Sequence, residues 1–389
     1  MKLLKENYQY LLTVLLFSFL LWIGWILVCD EAQLFQNASG SNSEEALCQI
    51  LEITDEDQII SNLGDMYYLE QHFEFKAKIL RGPHKGEVIN AEQIIDNVST
   101  LGVQPVEIGD KLFVYSPADG SDGIWSAGDF YRSGQIGFLL TFFCLALLLF
   151  GQKKGFNTML SLAFTCAAIF LVFVPSILSG KNPYLWSFLI CIYIICMTLS
   201  LVSGFSRKSL ASALGCSGGV LVAGLMTVLC SHTMKLSGFL DDDSLYVYLM
   251  NPDQPIDLKA IIFAANIIGA LGATMDVSMS LSSSLHELSE QAPDISFTEM
   301  FRSGIRIGQD IMGTMANTLV LAYIGSSLST VLLFVSYQAS LLQLLNRELI
   351  IVELLQALSG SIGILFTIPI SAFIASVLYR KQKEPLSAS

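Results

Sequence analysis

Two stretches of this sequence place carboxylates among amides and hydroxyls in a pattern suited to holding a cation or passing a proton. In NIIGALGATMDVSMSLSSSLHEL, Asn266 to Leu288, Asp276 stands among Thr274, Ser278 and Ser280, with Asn266 further back. In RSGIRIGQDIMGTMANTLVLAYIGSSL, Arg302 to Leu328, Asp310 is followed by Asn317. Carboxylate, carbonyl and hydroxyl oxygens are the ligands that hard cations take, and two carboxylates brought close compete to stay ionised, which suits them to carry a proton. Asp276 carries the functional expectation. Asp310, Asn266, Asn317, Thr274, Ser278 and Ser280 are the remaining substrate- or ion-binding candidates. The ordinary account is that Asp276 marks the wet end of a short helix and that Asp310 favours the start of the next. For Asp310 the ordinary account is the stronger.

A second motif belongs to a different chemistry. GCSG, Gly215 to Gly218, has the G-x-S-G form of rhomboid-type intramembrane proteases, which would make Ser217 a nucleophile. A nucleophilic serine needs a base in reach. His232 falls at the other end of the same apolar run, and no further motif supports His286, so no catalytic role is expected. HExxH, phosphate-binding-loop and dinucleotide fingerprints do not occur, and no Cys/His spacing suggests a structural metal. The expectation is a protein that is not an enzyme and takes no cofactor.

What must position these residues is a bilayer. The 389 residues are 53% hydrophobic and 14% charged, with mean hydropathy +0.58, which leaves too little polar surface for a soluble protein of this length. Eight mostly apolar runs are long enough to cross. They lie at Tyr8 to Val28, Gly134 to Gly151, Phe156 to Leu178, Tyr184 to Ser203, Ser209 to Ser231, Leu258 to Ser280, Ile311 to Leu333 and Glu353 to Leu378. They are rich in Leu, Ile and Ala without period-2 alternation, so they read as helices, whose backbone groups pair within the segment. If every run crosses, Lys2 and Lys5, Lys153 and Lys154, Arg207 and Lys208, Arg302 and Arg306, and Arg380, Lys381 and Lys383 all fall on one side. The positive-inside rule makes that side the cytoplasm. The fold class expected is an all-α polytopic membrane helix bundle of about eight transmembrane helices, both termini cytoplasmic, with a small extracytoplasmic β-rich domain between the first two helices. The first run exceeds a typical signal-peptide core and ends in Trp22 and Trp25 where small residues would be cleaved, so an uncleaved anchor is preferred; cleavage would leave seven spans.

The expected domains are an anchor at 1–28, an outer segment at 29–133, a seven-helix membrane domain at 134–379 and a cytoplasmic tail at 380–389. Residues 30 to 133 hold 19 Asp/Glu against 6 Lys/Arg, a balance of −13 that equals the net charge of the whole chain. Such an acidic surface argues against nucleic acid or anionic headgroups as partners of the outer segment. From Phe73 to Gln93 apolar and polar residues alternate around a Gly-Pro-His-Lys-Gly turn, a β-hairpin pattern, and Gly109 to Ser116 adds a strand; a small barrel of about five strands would fit. The stretch from Glu31 to Glu45 reads as an acidic linker. His84 and Lys85 at the hairpin tip are read as ordinary loop residues. Of eight cysteines only Cys29 and Cys48 lie outside the predicted spans, which leaves room for one disulfide.

Between the sixth and seventh spans, a cap at Ser296 followed by Phe297, Met300, Phe301, Ile305 and Ile307 around Arg302 and Arg306 reads as a short amphipathic interface helix. Glycines at 215, 218 and 219, at 269 and 272, and at 360 and 363 are read as sites of close helix packing. GPHKGEVINAEQ, GALGATMDVSMSLSSSLHEL, GQDIMGTMANTLVLAYIGSSL and LSGSIGILFTIPI resemble the signature segments of bacterial YibE/F-like membrane proteins, from about Phe73 onward. That resemblance implies a bacterial multi-pass cell-membrane protein with an extracytoplasmic β domain, in the lipid bilayer, with another membrane protein of the same family as a partner; it implies no substrate. The function expected is a permease or transport-associated protein for a small solute or ion. The alternative is a non-transporting scaffold or sensor whose outer domain binds an envelope component or a partner protein.

Overall fold

The computed structural model describes residues 2–29, 44–63, 66–96, 103–117, 123–240, 242–249, 255–336 and 340–379. The chain divides into two compact units, one of residues 35–146 and one of residues 1–34 with 147–389.

In the first unit, strands β1 (Glu45–Leu63), β2 (Met66–Arg81), β3 (Val88–Asp96), β4 (Lys111–Tyr115) and β5 (Trp125–Phe130) close into a barrel in the order β1-β2-β3-β5-β4. The hairpin expected around Gly82 to Gly86 is β2 paired with β3, with Phe73 opposite Gln93. Alternation fills the interior: Ala46, Cys48 and Ile50 of β1, Phe73, Phe75, Ala77 and Ile79 of β2, and Leu112 and Val114 of β4 all point inward and are buried together. Gly82, at φ 113°, turns the chain where a Cβ would stand 3.0 Å from the Glu45 carbonyl oxygen. At the tip the His84 ring lies 3.0 Å from Glu87 Oε2, a local polar contact. Cys48 is fully buried and unpaired among the described residues, packed as a small apolar residue rather than presented for a disulfide. The side chain of Cys29, and nearly all of the linker expected at Glu31 to Glu45, lie outside the described residues.

The helices are α1 (Lys2–Cys29), α2 (Ser133–Ala167), a π-helical turn (Ala168–Phe173), α3 (Val174–Leu178), α4 (Pro183–Ser203), α5 (Arg207–Thr233), α6 (Asp242–Leu249), α7 (Leu258–Gln291), α8 (Phe297–Ser326), α9 (Leu328–Ser336), α10 (Leu341–Leu344) and α11 (Glu348–Tyr379). Among the described residues, six helical segments are long and apolar enough to cross a membrane: Tyr10–Val28, Ser133–Leu178, Pro183–Ser203, Arg207–Thr233, Leu258–Gln291 and Glu348–Tyr379. They mark the chain as a membrane protein. Two of the eight expected runs share the 46-residue segment Ser133–Leu178, broken at Gln152 by non-helical backbone (φ 49°, ψ −125°). Gly155 then returns so close to the Leu147 carbonyl that no Cβ would fit.

The run expected at Ile311 to Leu333 is corrected. It is not one helix: the chain breaks at Ser327, where the hydroxyls of Ser326 and Ser327 both donate back to the Tyr323 carbonyl. Its first half is instead continuous with the helix expected to lie separately at the interface. The Ser296 cap opens α8 through a capping box with Glu299, and α8 runs unbroken from Phe297 to Ser326. Charged and amide residues along it leave it less apolar than the six crossing segments.

At the centre of this unit α5, α7 and α11 meet along small-residue ridges of strict four-residue spacing. These are Ala211, Gly215, Gly219, Ala223 and Thr227 on α5; Asn266, Ala270, Thr274, Ser278 and Ser282 on α7; and Ser359, Gly363, Thr367, Ser371 and Ala375 on α11, every one buried. Ridges at i, i+4 interdigitate at close range when their side chains are small. A Cβ on Gly215 would meet the hydroxyls of Ser371 and Ser278, and one on Gly218 would stand 2.9 Å from Ile370. The glycines of α5 and α11 therefore serve close packing.

Candidate functional site

The seven residues singled out by sequence separate into two sets on opposite faces of the helices. Asn266, Thr274 and Ser278 are fully buried on the inner face of α7. Asp276 and Ser280 of α7, and Asp310 and Asn317 of α8, are exposed on the outer faces.

The buried set is a ladder of hydroxyls crossing between helices. Asn266 Nδ2 donates to Thr227 Oγ1 of α5 and, at 2.6 Å, to Ser359 Oγ of α11. Two helical turns further along, Thr274 Oγ1 lies 3.5 Å from Cys216 Sγ, and one turn beyond it Ser278 Oγ donates to the Ser212 carbonyl at 2.7 Å while touching Ser371 Oγ at 2.9 Å. Most of these hydroxyls also bond a carbonyl one turn back, as Thr227 does to Ala223, Ser359 to Leu355 and Thr367 to Gly363. That habit makes a Ser or Thr tolerable inside a membrane helix. The ladder carries no charge and is tightly packed, so its role is to hold three helices together. Three buried atoms, Asn266 Oδ1, Ser212 Oγ and Ser282 Oγ, have no hydrogen-bond partner among the described residues.

The exposed set has different surroundings. Asp276 is not at a frayed helix end, because α7 continues fifteen residues past it to Gln291. Asp310 neither caps nor opens a helix; it is the fourteenth residue of α8. Along the same side of α7 lie Gly269, Gly272, Asp276 and Ser280, and a Cβ at Gly272 would meet nothing within 4 Å. α8 packs antiparallel to α7 and beside α11: Gly304 meets Leu285 and Ala372, Gly308 meets Ile368, Leu319 meets Gly360, and the Tyr323 hydroxyl covers Gly269. From the first and last of these contacts, Asp276 stands level with about Thr314 and Asp310 with about Ser280. At ~1.5 Å per residue the two carboxylates differ in height by about one helical turn. None of Asp276, Asp310, Asn317, Arg302 or Arg306 makes a hydrogen bond or ion pair among the described residues.

Ser217 is half-buried within α5, and His232 is exposed near the other end of that helix, about 22 Å along its axis at ~1.5 Å per residue. His286 sits against the Tyr379 ring at 5.2 Å. Among the described residues no group of three His, Cys, Asp or Glu side chains converges as a metal site would require.

The sequence reading missed the surroundings of Glu353, which it took as the first residue of a span. α11 begins at Glu348 rather than Glu353, which places Glu353 inside the helix and within electrostatic reach of the Tyr323 phenol of α8. The hydroxyls of α5 and α11 were legible in principle, since Ser or Thr recurring every fourth residue among glycines is the mark of a buried helix contact.

A family model described as YibE/F-like protein matches residues 139–381. The match begins inside α2, so the barrel lies outside it, although the resemblance read from sequence reached back to Phe73. No curated protein and no solved structure gives a match.

Proposed function

Because the chain belongs to the YibE/F-like family, whose model covers all of its helices from α3 to α11, we propose that it acts as a permease-like membrane protein for a small solute or ion, along the outer face of α7 where α8 flanks it. The observation that carries this reading is the Asp276 carboxylate, set within a continuous 34-residue helix and left without a partner among the described residues. An ionisable side chain at membrane depth costs about 2.5 to 3.5 kcal/mol on insertion scales and faces a partner, a cavity or an ion path. Gly272 beside it leaves room for a solute to approach, and Ser280 supplies a further oxygen one turn along the same face. α8 supports the reading in a second way. Its contacts follow α7 from Leu285 to Gly269, which is the course of a helix crossing beside it, and its outer side is polar where a lipid-facing helix would be apolar. In this arrangement the Lys and Arg clusters between the helices face the cytoplasm.

The test is flux in reconstituted vesicles. Asp276→Asn keeps the shape and removes the charge, so a cation- or pH-dependent flux of the wild-type chain should vanish in the variant. A flux that survives unchanged would remove Asp276 from the path.

A further inference from the structure

We propose that two copies of this chain pair side by side through the outer face of α8. The inference rests on α8 lying in the bilayer, as the proposed function has it, and does not depend on flux. On that helix Arg306, Asp310, Gly313, Asn317 and Ile324 are all exposed and fall at intervals of four, three, four and seven residues. This is a heptad seam, the spacing that keeps one stripe of a helix against a partner helix. The opposite stripe, Gly304, Gly308, Ile311, Met315 and Leu319, is already occupied by α7 and α11. Lipid tails cannot cover a stripe holding a guanidinium, a carboxylate and an amide that have no partner within the described chain.

A second copy fits the residues on the seam. Two chains with the same topology, related by a two-fold axis along the bilayer normal, bring their α8 helices together in parallel with like positions at like depth. Asn317 then faces its own counterpart, and an amide pair satisfies itself because each member both donates and accepts. Gly313 lets the two backbones approach. Arg306 of each helix lies one turn, about 6 Å, from the level of Asp310 on the other, so two ion pairs form across the axis. Both signs of charge and the self-pairing amide stand on one helix, which makes the stripe complementary to itself.

The test is disulfide cross-linking in native membranes, with single cysteines introduced along α8 and a copper-phenanthroline oxidant. Covalent dimer should rise several-fold above the wild-type background for Gly313→Cys and Asn317→Cys. It should stay at background for Met315→Cys, on the occupied face, and for Leu225→Cys, on the outer face of α5. In parallel, wild-type chains carrying two different epitope tags should co-purify from cells that express both. Failure of the tagged wild-type chains to co-purify overturns the pairing, as does a cross-linking yield that is flat along α8 or confined to positions off the seam. Neither readout needs transport, so a chain that pairs but carries no flux would refute the permease reading alone.

Discussion

Gly363 on α11 lies against Gly219 on α5 so closely that a Cβ built on either would stand 3.0 Å from the other's carbonyl oxygen. The two backbones touch where side chains would otherwise hold helices apart, and Thr367 fills the remaining space at Gly219. Gly219→Val should therefore lower stability by about 1 to 3 kcal/mol through overpacking. Gly272→Val, at a glycine with nothing within 4 Å, should leave the melting temperature nearly unchanged. Thermal melts of the two purified variants decide the matter, and equal losses would contradict the packing described.

Asn266 ties α5 to α11 through Thr227 and Ser359. Such bonds within membrane bundles are modest, averaging about 0.6 kcal/mol and reaching about 1.7. A double-mutant cycle of Asn266→Ala with Ser359→Ala should give a coupling in that range. The same cycle with Ser361→Ala, whose hydroxyl bonds back to Ala357 in its own helix, should give none.

In the barrel, the buried Gln93 clamps the following loop, accepting from the Val106 N–H at 3.0 Å and donating to the Gln104 carbonyl at 3.1 Å. Gln93→Leu keeps much of the volume but strands the buried Val106 N–H, at a cost of about 1 to 3 kcal/mol. Faster proteolysis of the segment around 103–107 is the expected readout.

Burial pushes the Cys48 thiol up to about 11, partly offset by its backbone contact with Leu112. Folding thus holds the proton on. As pH rises past the ordinary thiol value, about 8.5, the unfolded chain ionises first and the barrel loses stability, until the folded thiol also titrates near 11. At neutral pH a maleimide should label Cys48 only after denaturant is added. Labelling of the native protein at the denatured rate would mean that Cys48 is not inside.

Much of this was legible in the sequence because apolar length and period-2 alternation are local signals. The hairpin around Gly82 to Gly86, the cap at Ser296 and the runs of α4, α5, α7 and α11 follow from residues near one another in the chain. What was not legible depended on tertiary contacts. Asn266 and Asp276 lie ten residues apart, about 100° per residue around a helix, and only the positions of α5 and α11 tell which of them is enclosed. α8 was divided into an interface helix and a span because Arg302, Arg306 and Asp310 interrupt its hydropathy. Its backbone bonds run on regardless, since polar side chains on one face do not break a helix.

The central claim is that the outer face of α7, with the flank of α8 beside it, meets water inside the membrane. Cysteines placed one at a time at Asp276, Ser280 and Thr314, with Phe366 on the outward face of α11 as reference, can be treated with a charged thiosulfonate in native vesicles. Modification at the first three positions and none at Phe366 is the result expected; protection of all three, with the variants folded, would contradict the account.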